Sequence, residues 1–351
     1  MIRTIVVDDS ALIRQMLSEM LNAAPDIEVV DTANDPYDAR EKIKRHNPDV
    51  ITLDVEMPKM DGITFLRNIM RLRPMPVIMI SSLTQEGADV TLEALDIGAV
   101  DYVAKPQANV SQELGEYAEE IQAKVRMAAS ARVRSRSTPR EGTPRHDAGA
   151  VLPKRKPGDL KSTEKLIVIG ASTGGTEAIR KVLEKLPPDS PAVVITQHIP
   201  EAFSGAFAKR MDGSCALTVC EAQHGQRIIP GHAYVAPGDQ HLTIKRDGAR
   251  YVCQLSDAEP VNRHRPSVDV LFRSVGNEAG KNAVAALLTG MGDDGARGLL
   301  ELRELGALTI AQDEQSSVVW GMPGTAVEMD AAEKVLPLGD IAEALLLACR
   351  R

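Results

Sequence analysis

Lys165-Leu166-Ile167-Val168-Ile169-Gly170-Ala171-Ser172-Thr173-Gly174-Gly175 is an apolar run that breaks into a glycine-rich turn with a serine at its apex; Thr176 to Leu186 then carries a helical pattern. A serine on a strand-to-helix turn projects its hydroxyl above the carboxyl edge of a sheet, where N–H groups of the next helix can meet an oxyanion. That is the place of an acyl-transfer nucleophile. A phosphate cradle fits less well, because a dinucleotide fingerprint needs glycine where Ser172 stands and a P-loop ends in Lys followed by Ser or Thr.

A nucleophile needs a base and an acid. Pro191 to His198 is a second short apolar strand with His198 at its far end, and Ala283 to Thr289 is a third, followed by Gly290-Met291-Gly292-Asp293-Asp294-Gly295. Strand ends of a parallel sheet share one edge, so Ser172, His198 and one of the two aspartates can converge there. Their chain order, Ser, His, Asp, differs from the Ser, Asp, His of α/β-hydrolases. Singly, each has a plainer reading: a hydrogen-bonded histidine at a strand end, or an Asp-Asp-Gly turn capping a helix. The combination points to a triad. Arg263, His264 and Arg265 form another polar cluster that reads as a salt-bridged surface turn, or else as a support for His198 or an attractor of an acidic surface, and none of them is assigned a catalytic role.

The first third of the chain holds a different chemistry. Thr4 to Val7 is a short apolar strand running into Asp8-Asp9, and Val50 to Leu53 runs into Asp54. Further strands near 28–32, 76–81 and 101–103 alternate with helical patterns near 11–23, 36–46, 62–71, 86–97 and 111–129, which predicts a doubly wound five-stranded α/β domain. In flavodoxin-like order the three carboxylates meet at the topological switch point. Each pair at ~4 Å repels by about 4 kcal/mol at an effective dielectric near 20, so the cluster calls for a cation or partial protonation. Hard oxygen ligands, with the main-chain carbonyl of Glu56 among them, suit Mg²⁺. Lys105 after the fifth strand and Ser81 at the end of the fourth put an ammonium and a hydroxyl on the same edge, where they could hold a phosphoryl group.

The 351 residues suffice for two such cores, and 43% hydrophobic with 26% charged residues is an ordinary globular composition. A net charge of -8 favours no nucleic-acid partner, and no helix-turn-helix with a basic face follows the first domain. Cys215, Cys220, Cys253 and Cys349 lack metal or disulfide spacing, and His224, His232 and His241 form no metalloprotease motif, so the second domain is expected to need no cofactor. The chain reaches Asp8 too soon for a signal peptide and no apolar run is long enough to span a bilayer, so a cytoplasmic protein is expected. Residues 130–164 are rich in Arg, Lys, Ser, Pro and Gly and too poor in apolar side chains for a core. The expected organisation is a domain at 1–126, a basic flexible linker at 127–163 and a Rossmann-like three-layer α/β domain at 164–351.

Asp8-Asp9, Asp54, Ser81 and Lys105-Pro106 resemble two-component receiver domains. The resemblance implies phosphorylation of Asp54, Mg²⁺ as its cofactor and Tyr102 as a switch aromatic. Gly170 to Gly175, Thr196-Gln197-His198, Asn262 to Asp269 and Leu288 to Gly295 are similar to the catalytic domain of the chemotaxis protein-glutamate methylesterases. That family implies Ser172 as nucleophile, His198 as base, Asp294 rather than Asp293 as acid, and main-chain donors at Thr173 and Met291 for the oxyanion. It further implies hydrolysis of γ-glutamyl methyl esters and deamidation of glutamines on chemoreceptors. A chemotaxis histidine kinase would donate the phosphoryl group, and the enzyme would be recruited to receptor clusters at the membrane. A receiver-controlled, noncatalytic receptor-binding module is the alternative of a different class.

Overall fold

The computed structural model describes residues 1–57, 60–81, 85–105, 113–130, 147–154 and 164–350. Pro106 and the linker residues 131–146 and 155–163 lie outside this set. The chain divides into two compact units, Met1–Thr138 and Pro139–Arg351.

In the first unit, β1 (Ile2–Val7), α1 (Ala11–Asn22), β2 (Ile27–Ala33), α2 (Pro36–His46), β3 (Val50–Asp54), α3 (Gly62–Leu72), β4 (Val77–Ser81), α4 (Gln85–Ile97), β5 (Asp101–Ala104) and α5 (Glu113–Ser130) alternate along the chain. The five strands are parallel in the order β2-β1-β3-β4-β5. Such a sheet is covered on both faces, which is why β3 and β4 read as nearly continuous apolar runs, broken in β3 only by Thr52 before the polar ends Asp54 and Ser81, and are buried throughout. Helix starts follow capping chemistry: Ser10, Asp35 and Asp61 each accept a main-chain N–H of the first turn, and Pro36 opens α2 where no donor is needed. With β1 beside β3, Asp8 and Asp54 leave the sheet at neighbouring strand ends.

The second unit begins with a short helix, α6 (Ala148–Val151), then continues through β6 (Leu166–Ala171), α7 (Gly175–Leu183), β7 (Ala192–Gln197), α8 (Glu201–Ser214), β8 (Thr218–Glu221), β9 (Arg227–Ile228), β10 (His232–Val235), β11 (His241–Asp247) and β12 (Arg250–Ser256). It ends with α9 (Val268–Glu278), β13 (Ala283–Leu287), α10 (Ala296–Glu304), β14 (Leu308–Gln312), α11 (Met322–Glu328), β15 (Lys334–Leu336) and α12 (Leu338–Cys349). Seven parallel strands lie in the order β15-β14-β13-β6-β7-β10-β8, and β11-β12-β9 make a separate antiparallel sheet. β6 therefore sits between β13 and β7, so the three strands that carry the serine, histidine and aspartate are adjacent. On one face Val168, Val194 and Leu287 pack with Leu271, Phe272 and Val275 of α9 and Leu299 and Leu302 of α10. Alternate residues such as Ile167, Ile169 and Ile195 are fully buried on the other face.

Both units are the doubly wound parallel folds expected, with one addition, the β11–β12 hairpin whose Leu242, Ile244 and Tyr251 join the core. The stretch read as linker contains two pieces of defined structure: residues 127–130 complete α5, and residues 147–154 lie against α9. Among the described residues, no helix is long and apolar enough to cross a membrane. Phe272 is fully buried in the second core, and Phe272→Ala is expected to cost about 3–5 kcal/mol. Hydrogen exchange should then quicken across 164–350 and stay unchanged across 1–130; faster exchange in both units would contradict two separate cores.

Candidate functional site

Ser172 leaves β6 directly above its neighbours. Its N–H donates to the Thr289 carbonyl (3.0 Å), just past β13, and Gln197 Nε2 donates to the Ser172 carbonyl (2.9 Å). The β13 loop can pass this close only through Gly290, since a Cβ there would lie 2.8 Å from Ser172 Cβ and 2.2 Å from Met322 Sδ.

His198 follows β7, with its N–H donating to the Ala171 carbonyl (3.1 Å). Its Nδ1 lies 3.1 Å from Ser172 Oγ and its Nε2 lies 2.8 Å from Asp294 Oδ2. A neutral imidazole that accepts from Ser172 at Nδ1 carries its proton on Nε2 and donates it to the carboxylate. The ring thus bridges hydroxyl and acid, with its two nitrogens in the reverse order of the chymotrypsin arrangement.

Asp294 is 1% exposed at the side chain and accepts four further hydrogen bonds. Asn262 Nδ2 (2.8 Å), Ser267 Oγ (2.9 Å) and the Asp269 N–H (3.2 Å) reach Oδ1, while the Val268 N–H (2.7 Å) reaches Oδ2. Val268 and Asp269 open α9, so the carboxylate occupies the anion-binding end of a helix. Burial raises this carboxyl, but the hydrogen bond and charge of His198, the charge of His264 and the Asn262 donor outweigh it and hold Asp294 well below the ordinary carboxylate range. Asp269 shares Asn262 Nδ2 (2.7 Å), and burial together with the Asp294 charge raises it. Of the two buried acids, Asp294 is therefore the one whose surroundings favour the charged form, and Asp269 the one they disfavour. Asp293 stays partly exposed, its carbonyl accepting the Ala296 N–H.

The Met291 N–H has no intramolecular hydrogen bond among the described residues, whereas the Gly290 N–H donates to Val319 (3.0 Å). Thr173 is 7% exposed, and its carbonyl accepts from Thr289 Oγ1 (3.0 Å). The Arg263-His264-Arg265 cluster divides its contacts. The His264 ring stacks on His198, centroids 3.7 Å apart and 15° from parallel, while Arg265 pairs with Asp239 at the surface (2.7 Å). Sequence reasoning missed Asn262, Ser267 and His241 as supports. His241 is fully buried; its Nδ1 accepts the Ser267 N–H (3.2 Å) and its Nε2 donates to the Glu259 carbonyl (3.0 Å), fixing the residue that caps α9. The Ser267-Val268-Asp269 sequence was a legible cap signal; the distant carboxylate it serves was not.

In the first unit, ligand atoms of Asp8, Asp9 and Asp54 lie within 4.8 Å of one another. Lys105 Nζ is 2.9 Å from Asp54 Oδ1 and 3.9 Å from Asp8 Oδ2, and the Glu56 N–H donates to Asp54 Oδ1 (3.2 Å). Asp8 Oδ2 and Asp54 Oδ2 are buried with no hydrogen-bond partner among the described residues. Burial first, then the Asp8 charge, pushes Asp54 up to about 6 against the pull of Lys105; Asp8 is raised by burial and by Asp9. Two orphaned carboxylate oxygens beside an exposed third acid fit a hard divalent cation. Ser81 is buried at the end of β4, its Oγ accepting from Thr91 Oγ1 (2.8 Å), and Tyr102 is buried in β5 with Lys124 Nζ 5.2 Å from its ring centroid.

These two units define a response regulator whose output module is an enzyme of parallel α/β fold. Residues 4–114 match the response regulator receiver domain family and residues 167–345 match the CheB methylesterase family. A protein-glutamate methylesterase/protein-glutamine glutaminase of Xanthomonas campestris is 58% identical over 98% of this chain and 96% of its own. One of Geobacter metallireducens is 57% identical over 97% and 94%. The crystal structure of the Thermotoga maritima CheB methylesterase catalytic domain covers 52% of this chain and 97% of its own, at 36% identity and a TM-score of 0.51. The chain belongs to the CheB methylesterase family.

Because burial pushes Asp54 up to about 6 in the folded chain, against about 4 when unfolded, the unfolded chain loses that proton first as pH rises. Stability of the first unit therefore falls across this window. Relative to Asp54→Asn, the wild type should lose about 2 kcal/mol between pH 4 and 7 in denaturant melts, and millimolar Mg²⁺ should recover part of it. A pH-independent difference would contradict the buried charge conflict.

Proposed function

We propose that this chain is a phosphorylation-regulated protein-glutamate methylesterase and protein-glutamine deamidase acting on chemoreceptors. The observation that carries the reading is the continuous hydrogen-bonded path from Ser172 Oγ through His198 to the buried carboxylate of Asp294. His198 Nδ1 takes the hydroxyl proton as Ser172 Oγ attacks the side-chain carbonyl of a methylated glutamate or a glutamine. The tetrahedral oxyanion is met by the N–H groups of Thr173 and Met291, each worth about 3 kcal/mol to such a transition state. His198 returns the proton to the leaving methanol or ammonia, and water then enters by the same base to release glutamate and Ser172. Asp294 holds the ring in its Nε2–H tautomer and stabilises the imidazolium that forms.

In the receiver, Asp8, Asp9, Asp54 and the Glu56 main-chain carbonyl would hold Mg²⁺, which when bound would neutralise charge on the phosphoryl group. Asp54 accepts that group from a chemotaxis histidine kinase. Lys105 pairs with its oxygens, Ser81 supplies a hydroxyl, and Tyr102 reads the change at β5. The unphosphorylated receiver restricts access to Ser172, and phosphorylation relieves the restriction. The enzyme works in the cytoplasm at receptor clusters. The receiver spans 1–126, continued by the end of α5 to residue 130, and the catalytic domain spans 164–351, with residues 147–154 of the basic stretch between them held against α9.

Ser172→Ala should abolish hydrolysis of a receptor γ-glutamyl methyl ester with folding intact, and Asp294→Asn should lower kcat about 10⁴-fold. Unchanged turnover in Ser172→Ala would favour the noncatalytic receptor-binding module. A small acyl phosphate with Mg²⁺ should raise the rate of the wild type and leave that of Asp54→Asn unchanged; stimulation of both would contradict control through Asp54.

A further inference from the structure

We propose that residues 147–154, within the stretch that joins the two units, are a strap of the catalytic unit that positions the Asn262–His264 turn against Ser172, His198 and Asp294. The inference rests on the reading of those three residues as the catalytic groups.

The turn needs a support. Asn262 (φ 52°) and Arg263 (φ 70°) are consecutive non-glycine residues in the left-handed region, a conformation that persists only where surrounding contacts over-determine it. Two main-chain hydrogen bonds between Val261 and His264, of 3.1 and 2.9 Å, close the turn. Its two neighbouring side chains both reach the site: Asn262 Nδ2 donates to Asp294, and the His264 ring lies flat on His198.

The strap supplies the floor. Val261 is fully buried in a small apolar cluster with Val270 of α9 and Ala148 of the strap, and Val151 packs against them. Polar anchors fix the strap in place. Asp147 accepts the Gly149 N–H (2.6 Å) and pairs with Arg273 (3.2 Å) and Arg297. The Gly149 hydrogen bond first, then Arg297 and Arg273, keeps its carboxyl below the ordinary range. Arg273 is 6% exposed and also binds Glu301 through two nitrogens, so the half-exposed Asp147 caps an otherwise nearly buried ion pair from the strap side. Asn277 Nδ2 donates to the Pro153 carbonyl (3.1 Å) and Lys154 pairs with Glu304 (3.0 Å). A merely passing linker would not carry three anchors and an apolar plug within eight residues.

The test uses the full chain. Val151→Ala and Ala148→Asp should lower kcat on a receptor γ-glutamyl methyl ester with KM unchanged, roughly three- to tenfold for the milder variant, the range of coupling between neighbouring groups. Hydrogen exchange should quicken at 261–265 and stay at wild-type rates in 1–130. In an Asn262→Ala/His264→Ala background, Val151→Ala should change kcat less than about twofold, because the route it acts through is already gone. Wild-type kcat and exchange in folded strap variants, or the same fold-loss in the double-mutant background, would overturn the strap. Ser172→Ala assayed alongside separates the two readings: inactivity there with wild-type strap variants refutes the strap alone, and activity there refutes the triad on which it rests.

Discussion

A carboxylate with 1% of its side chain exposed must be fully paired, and the second unit is arranged around meeting that requirement for Asp294. Five donors converge on two oxygens from His198, Asn262, Ser267 and the first two N–H groups of α9. Each brings a separate part of the fold into register. β7 delivers the histidine, the turn before α9 delivers the amide and hydroxyl, and the β13 loop delivers the acid. Because the carboxylate is over-supplied with donors, it remains charged and can orient an imidazole without taking its proton.

The first unit uses burial in the opposite sense. Asp8 and Asp54 are under-supplied, each with an oxygen that has no hydrogen bond among the described residues, and Lys105 offsets only part of their repulsion. A site in that condition gains by admitting a cation or a modified group that lets its charges coexist. One chain therefore contains a carboxylate held fixed by its surroundings and a cluster left poised to respond, which suits a permanent catalytic centre and a reversible switch.

Much of this was legible in the residues. Parallel strands buried on both faces announce themselves as apolar runs, so β1, β3, β6, β7 and β13 and the residues at their ends could be placed from sequence. The choice between Asp293 and Asp294 was not available from spacing, since adjacent acids are equivalent until one is seen to face α9. The β11–β12 hairpin carried a usable signal in its two-residue turn at Gly248-Ala249, where Gly248 has φ 62°, but its strands mix apolar residues with Lys, Arg and Gln and mimic a loop. Asn262 was hidden for a different reason, and His264 was legible only as one of several readings of its cluster. Their contacts depend on a left-handed turn and on tertiary packing against a strap more than a hundred residues earlier, and no local periodicity encodes either. The strap itself was obscured by the basic, small-residue composition around it, which reads as solvated chain.

The central claim is that Ser172 is the hydroxyl that the His198–Asp294 pair activates. Mass spectrometry of the full chain after exposure to a serine-directed fluorophosphonate measures this directly. A single adduct on Ser172 in the wild type, strongly slowed in folded His198→Gln, is the predicted result. Adduct on another residue, or labelling of Ser172 at the same rate without the imidazole, would contradict the account.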